Sequence, residues 1–512
     1  MNTYKIILLL MGLSIMGCSD LEEEPVGLLS PDGFFSTVDD LQIAVDGALT
    51  HAINEEIWGR KLSVSLMLRS DMVKLQSSQT YRVEMDMHNI TGENEMVYDP
   101  WQRIWLGISA ANTAIAGAES VAVSDDVKNP VVAQAYFARA FYYFHLVRLF
   151  GDIPYFDRPA GEEADFSVSL TPESEVYDNI ISDLEFAKTW LPETVASRAI
   201  PSKAAASSYL ALVYLTRAGT NDMAYFQLAF DEAKEVIDNS GTYNLGLDPD
   251  FQALFDANRI DASIEPIFAL DYNHYEAPDN AYDQIAPMSG IRGDDDDDGN
   301  GAGWSVVAPT MAVYDSFEVG DYRRDVSFQT ECSIGGVLVD YTQFTSSGHE
   351  HATNNPYIAK YTRYPGEYAK GNKRATSHNY SMMRYAEVLL IAAEAGAEIG
   401  NPLALTYINE VRGRARNGGQ STSGGYTEAT FAASTIPMDL GSVTVADVLE
   451  ERRIELAFEG KRWYDIKRRD LGDQVFSASG YEGAKPDFNS SVDYDTPIPQ
   501  EEINRNPNLA GL

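Results

Sequence analysis

Residues 130–155 read PVVAQAYFARAFYYFHLVRLFGDIPY, and this stretch limits the folds open to the chain more than any other. At 3.6 residues per turn, Ala133, Phe137, Phe141, Phe144 and the run Leu146 to Leu149 leave almost no polar face. Only Gln134, Arg139, His145 and Arg148 interrupt it. A helix that is apolar nearly all round must be enclosed by other elements, so the chain needs a body large enough to surround it. Gly151 can take the left-handed conformation that ends a helix, and Pro154 prevents it from resuming.

The chain opens with a processing signal rather than with structure. The amino terminus and Lys5 are positive, and Ile6 to Met16 is an uncharged apolar core. At about 11 residues it is too short to span a bilayer, which takes about 20. Ile15-Met16-Gly17-Cys18 follows, and a small residue before a single cysteine resembles a bacterial lipobox. Cys18 is then the lipidated first residue of the mature chain. More than one acyl chain at about 0.8 kcal/mol per buried methylene gives durable anchoring. The acidic leader Ser19-Asp20-Leu21-Glu22-Glu23-Glu24 reads as a tether and resembles a surface-export signal.

The 512 residues are 44% hydrophobic, enough for a sizeable core in one or two domains. Acidic residues number 77 against 38 basic, a net charge of −39 that loses one further positive charge with Lys5. Such a surface repels nucleic acid and suits a neutral or cationic ligand better than a phosphate-rich one. With Cys18 assigned to lipid, Cys332 stands alone, so neither a disulfide framework nor a cysteine metal site is available. No H-E-x-x-H, G-x-S-x-G or phosphate-binding glycine motif stands in a usable context.

Further helices are expected from Ser36 to Thr50, along Leu62 to Met72, and on the face carrying Trp101, Trp105 and Ile108. Gln76 to Glu95 reads as loop. Thr171 and Pro172 are expected to start a helix in which Val176, Ile180, Leu184, Ala187 and Leu191 recur. Ser202 caps the next, and Tyr225 to Ser240 is a fourth of the same length. Residues 241–381 change character, rich in Gly, Asp, Tyr and Asn, with short strands at Glu265–Tyr272, Gly336–Tyr341 and Pro356–Tyr361. Helix returns from Tyr380, again after Asn401-Pro402, and from Val445 to Arg469, while Gly418 to Ser434 reads as loop. The last helix crowds Glu451, Arg453, Glu455, Glu459 and Arg462. This reads as structural pairing, Glu450 with Arg453 and Glu459 with Arg462, and not as a catalytic cluster.

The R-A-x-x-Y-F-x-L-V-x-x-F-G-D-I-P-Y ending of the central helix resembles the SusD/RagB family of outer-membrane nutrient-binding lipoproteins. So do Tyr380–Ala395, Glu450–Arg468 and Pro497–Leu509. The resemblance implies a mainly α fold, a tetratricopeptide-like helical scaffold with a loop-rich insertion. The divisions are a signal peptide at 1–17, a lipidated tether at 18–33, a helical region at 34–240, the ligand-binding insertion at 241–381 and a C-terminal helical region at 382–512. It also implies a non-enzyme that captures an oligosaccharide or other nutrient at the outer membrane, and a TonB-dependent, SusC-like β-barrel transporter as partner.

Ligand contacts are expected in two places. Trp304 follows a glycine-rich stretch where an indole can stack on a pyranose, and Tyr272, Tyr275 and Tyr282 share that insertion. The family's early loop corresponds to Asp71, Tyr81 and Arg82. Asp294, Asp296, Asp298 and Gly299 stand at positions one, three, five and six of a calcium loop, but the twelfth position is Ser305 in place of Glu. Calcium is therefore weighed there against a solvated acidic loop. A glycoside hydrolase would need two carboxylates about 5–9.5 Å apart across a sugar, and no pair of acids is set apart by context. A helical adaptor that binds only protein is the third reading.

Overall fold

The computed structural model describes residues 34–510 apart from 77, 160–166, 273–282, 293–302, 348–353, 367–375, 424–426 and 482. The first helix, α1 (Val38–Thr50), opens on a reciprocal cap: Thr37 accepts from the Asp40 backbone at 3.2 Å, and the Asp40 carboxylate accepts from the Thr37 backbone at 2.7 Å. Then come α2 (Lys61–Leu68), α3 (Thr80–Met87), α4 (Glu95–Gly117) and α5 (Asp125–Phe150). Four more follow: α6 (Glu173–Trp190), α7 (Lys203–Ala218), α8 (Met223–Asp238) and the short α9 (Ile285–Ser289). The chain closes with α10 (Tyr385–Glu398), α11 (Leu403–Ala415), α12 (Val445–Glu455), α13 (Arg462–Arg468) and α14 (Gln500–Arg505).

Helix α5 is the enclosed centre that its sequence requires. Of residues 132–150 only Tyr136 is not fully buried. It packs between α4 and α6, with α1 also against it, and the packing continues α6 to α7, α7 to α8, α8 to α10 and α10 to α11. Successive helices therefore stack on their chain neighbours, the tetratricopeptide-like arrangement. Among the polar residues that interrupt its apolar run, the two arginines are held from within. Arg139 donates to both Asp183 oxygens at 2.8 and 2.7 Å and to Asn112 at 2.9 Å. Arg148 lies 3.7 Å over each of the Phe144 and Tyr464 rings and is 3.1 Å from His145 Nδ1. Burial, with Arg148 beside it, holds the His145 imidazole far below its usual titration range, so it is the neutral acceptor.

Several local expectations give way to tertiary context. Residues 80–87 form helix α3, not loop, because Met85 is buried and gives an otherwise polar stretch a packed face. Thr171 does not cap α6. It pairs with Ile153 through two backbone bonds of 3.2 and 2.8 Å, and Glu173 begins the helix. Residues 379–384 form a strand antiparallel to 266–271, so α10 starts at Tyr385 and not Tyr380. Residues 419–423 and 427–431 pair as a hairpin where loop was expected. The expected helix Val445–Arg469 breaks between Glu455 and Arg462, where Phe458 and Gly460 take φ of +65° and +70°.

Three acids before and within that break face inward. Glu455 takes Arg323 at 2.9 Å, Arg384 at 2.6 Å and also Arg414. Glu459 takes Arg384 and Lys360, each at 2.9 Å, and Glu451 takes Arg412 at 2.6 Å and Arg323. Glu265 bonds Arg384 and Arg414, each at 2.7 Å. Apart from Arg412, every one of these residues is fully buried. Glu265, Arg323 and Lys360 come from 241–381 and the rest from the C-terminal region, so the insertion is joined to the body by an enclosed ionic network. The crowded helix is structural, as expected. Glu450 does pair with Arg453 at 2.8 Å. The expected Glu459–Arg462 pair does not form: Glu459 goes to Arg384 and Lys360, and Arg462 goes to Asp71.

Candidate functional site

The early segment and the insertion meet at α9. Strand 74–75 pairs antiparallel with 307–308, and Gln76 N donates to Val306 O at 2.8 Å. Within the insertion, the segment at 304–306 is held to α9 by Trp304 N donating to Pro287 O at 2.6 Å and Val306 N donating to Met288 O at 3.0 Å. From α3, Arg82 reaches the Met288 sulfur at 3.6 Å. Tyr81, Arg82 and Trp304, which span 223 positions of sequence, are thereby gathered round one five-residue helix.

Each of these side chains has a distinct setting. Trp304 is half-buried against the main core rather than standing free, so its indole offers part of a face. Tyr81 is half-buried, and the Arg82 guanidinium lies 5.3 Å over its ring. Arg82 is 8% exposed. Beside it Lys61 pairs with Glu95 at 3.5 Å and with Asp99, and Arg60 pairs with Glu55 at 3.3 Å. Arg60, Lys61, Tyr81, Arg82, Glu95 and Met288 line a narrow cleft of about 10 Å³.

Two expected contacts are not offered to a ligand. Asp71 is fully buried, and Arg462 donates to both of its oxygens, at 2.8 and 2.9 Å. It positions the turn between α2 and strand 74–75. Tyr272 is buried as well. Tyr275, Tyr282, Asp294, Asp296, Asp298 and Gly299 lie outside the described residues, as does Cys18. Among the described residues no group of three or more His, Cys, Asp or Glu side chains could hold a metal.

A second cavity, of about 440 Å³, escaped the sequence reading. It lies between α4, the segment after α5 and α14, with Trp101, Trp105 and Phe156 as walls and Glu502 and Arg505 on its rim. Trp101 and Trp105 are spaced like core residues of one helix face, so the pattern could not distinguish a packed wall from an open one. The only available signal was that two large indoles fall one turn apart on one helix.

A profile described as the SusD family matches residues 327–510, and one described as "Starch-binding associating with outer membrane" matches 33–215. SusD-like protein P2 of Formosa agariphila is 45% identical over 516 residues, covering 99% of this chain and 99% of that protein. The chain belongs to the SusD family. SusD-like protein P25 of the same organism is 25% identical, with 97% of this chain and 95% of the relative covered. Among solved structures, a SusD homolog from Bacteroides thetaiotaomicron superposes with a TM-score of 0.78 at 20% identity, over 94% of this chain and 97% of that one. Surface glycan-binding protein A from Bacteroides uniformis gives 0.74 at 22%, over 92% and 99%. The helical scaffold expected from the sequence is thus the SusD fold. The profile over 327–510 takes in the inward-turned acids of α12 and the strand-to-helix switch at Tyr385.

Proposed function

We propose that this SusD-family protein is a lipid-anchored binding protein of the outer-membrane surface. It captures an oligosaccharide and passes it to a TonB-dependent, SusC-like transporter without altering it. The observation that carries this reading is the meeting of Tyr81, Arg82 and Trp304 at α9. Aromatic faces beside a hydrogen-bonding cation, on a rigid helical body, are the chemistry that binds a sugar ring and its hydroxyls. That a solved neighbour of the same fold is a surface glycan-binding protein supports it. No described helix is long and apolar enough to cross a membrane, and the reading assigns attachment to acyl chains on Cys18. Calcium at Asp294, Asp296 and Asp298 belongs to the same proposal; a chelator-sensitive melting temperature would support it and an unchanged one would remove it.

The hydrolase reading is weaker because Glu451, Glu455 and Glu459 are enclosed and neutralised by arginine and lysine, and cannot face a substrate. Affinity electrophoresis of the full chain against a polysaccharide panel, followed by product analysis, tests the proposal. Retardation without cleavage is expected. Cleavage would favour a hydrolase, and no retardation would favour a protein-binding adaptor.

A further inference from the structure

The cavity between α4, the segment after α5 and α14 takes no part in the site at α9. Met96 lines the cleft beside Arg82 and Trp105 lines the cavity. From 96 to 105 the helix turns about two and a half times, which puts the two on opposite faces of α4. At about 440 Å³ the cavity falls in the roughly 300–1,000 Å³ range of small-molecule sites, whereas the cleft holds about 10 Å³. It is also far larger than the voids of ordinary packing, which seldom exceed a water molecule. Its aromatic walls are left partly uncovered. Trp105 and Phe156 are only half-buried. Trp105 meets Trp101 at 66° and Phe156 at 78°, with centroids 5.5 Å apart in each pair, so the three rings do not stack into one layer. Helix α14 bounds the cavity without burying any of its own residues, and Asn506 at its end donates to Val168 O at 2.7 Å. Each cation at the mouth already holds a carboxylate. Arg505 donates to Glu502 at 2.7 Å and also to Glu501, and Arg158 pairs with Asp157 at 3.7 Å.

We propose that this cavity is a saccharide site in its own right, separate from α9, and that it takes a sugar ring of a neutral glycan. The inference rests on the glycan-binding reading above and adds a place to it. A pyranose presents an apolar C–H face and a belt of hydroxyls. The face fits the indole and phenyl walls, where it displaces water from apolar surface. The belt meets Glu502, Arg505 and Arg158 at the mouth, which between them accept and donate hydrogen bonds. An acyl chain would use the walls and leave those polar groups idle. A phosphate or sulfate would call for a cation not yet paired, and both guanidinium groups at the mouth are paired. The net charge of −39 likewise favours a neutral ligand over an anionic one.

Affinity electrophoresis of the full chain against laminarin, amylose, xylan and mannan, with polygalacturonate and carrageenan as acidic polymers, selects the polymer that retards it. Titration calorimetry then uses the trisaccharide of that polymer. The native protein should bind two trisaccharides, and Ser109→Phe only one. Ser109 is a half-buried residue of the cavity wall, so a phenyl ring there fills the space without removing an existing wall. Melting curves check that the variant is folded. Should it not fold, Val168→Phe, which fills the cavity from the side facing α14, is read in its place. A single site lost in the filled variant would support the cavity and overturn α9 as the binding place. A stoichiometry that filling leaves unchanged overturns the inference and leaves glycan binding standing. So does retardation by the acidic polymers alone, and so does a fluorescent fatty acid that binds the native protein and is excluded by filling while saccharide binding persists. Retardation by no polymer overturns both readings.

Discussion

Arg462 grips both carboxylate oxygens of Asp71 across 391 positions of sequence, at 2.8 and 2.9 Å, and Asp71 is entirely enclosed. The pair ties the turn after α2 to the start of α13. Breaking a buried pair by removing one partner leaves an uncompensated charge and costs about 3–5 kcal/mol. Asp71→Ala should therefore lower the unfolding free energy in urea by about that much, and a loss below about 1 kcal/mol would mean the pair is solvated. Burial pushes the Asp71 carboxyl up, but the charge and hydrogen bonds of Arg462, with Arg453 behind, more than offset this and hold it below its ordinary value. Its contribution is accordingly present above the unfolded pKa of about 3.9 and is lost as pH falls through the lower folded value.

Asp283 works in the opposite sense. It is buried, accepting from Thr376 Oγ1 at 2.6 Å and from Ile285 N at 2.7 Å, and burial raises its pKa to about 6 despite both bonds. An acid with a raised folded pKa contributes most below its unfolded value of about 3.9, and that contribution is lost as pH climbs through about 6. At roughly 1.4 kcal/mol per unit, the loss is on the order of 3 kcal/mol. Urea titrations at pH 5 and pH 8 should show Asp283→Asn removing part of the native protein's decline between them. Parallel pH profiles for the two proteins would refute the assignment.

Glu455 anchors three guanidinium groups at the junction of the insertion and the C-terminal helices. Glu455→Gln keeps the shape and removes the charge that Arg323, Arg384 and Arg414 share. The expected outcome is a loss of at least about 3 kcal/mol, seen as a fall in melting temperature or in soluble yield. A variant as stable as the native protein would show that Glu265, Glu451 and Glu459 suffice to neutralise the cluster.

Gly107 marks the closest approach of α4 to α5. A Cβ at that position would fall 2.5 Å from the Tyr142 ring, and the Tyr142 hydroxyl is fixed by donating to Ala48 O at 2.7 Å. Gly107→Ala gains helix propensity of about 1 kcal/mol, but overpacking a filled contact costs about 1–3 kcal/mol. Net destabilisation is expected by thermal unfolding, and Gly107→Ala combined with Tyr142→Phe should recover part of it by freeing the ring to move.

Lipidation has its own test. Radiolabelled palmitate should enter the protein in a bacterial host that processes lipoproteins, and should not enter Cys18→Ala. Equal labelling of both would locate the acyl chains elsewhere, and labelling of neither would remove the anchor.

Spacing and capping residues along the chain determined the enclosed central helix, the helices that follow it and the cap at Ser202, because these depend on contacts within a few residues. The literal strings at 130–155 and 450–468 carried the family. Tertiary structure decided whatever depended on a partner far away in sequence. Asp71 reads as a free acid until Arg462 arrives, Glu459 reads as the mate of Arg462 until Lys360 and Arg384 claim it, and residues 379–384 read as helix until strand 266–271 pairs with them. Arg82 is the reverse case. Its sequence neighbours give no hint that it is buried, and only the fold brings it against Met288, 206 positions away. Spacing along the chain fixes which residues share a helix face, whereas charge pairing depends on distances through space that the fold alone sets.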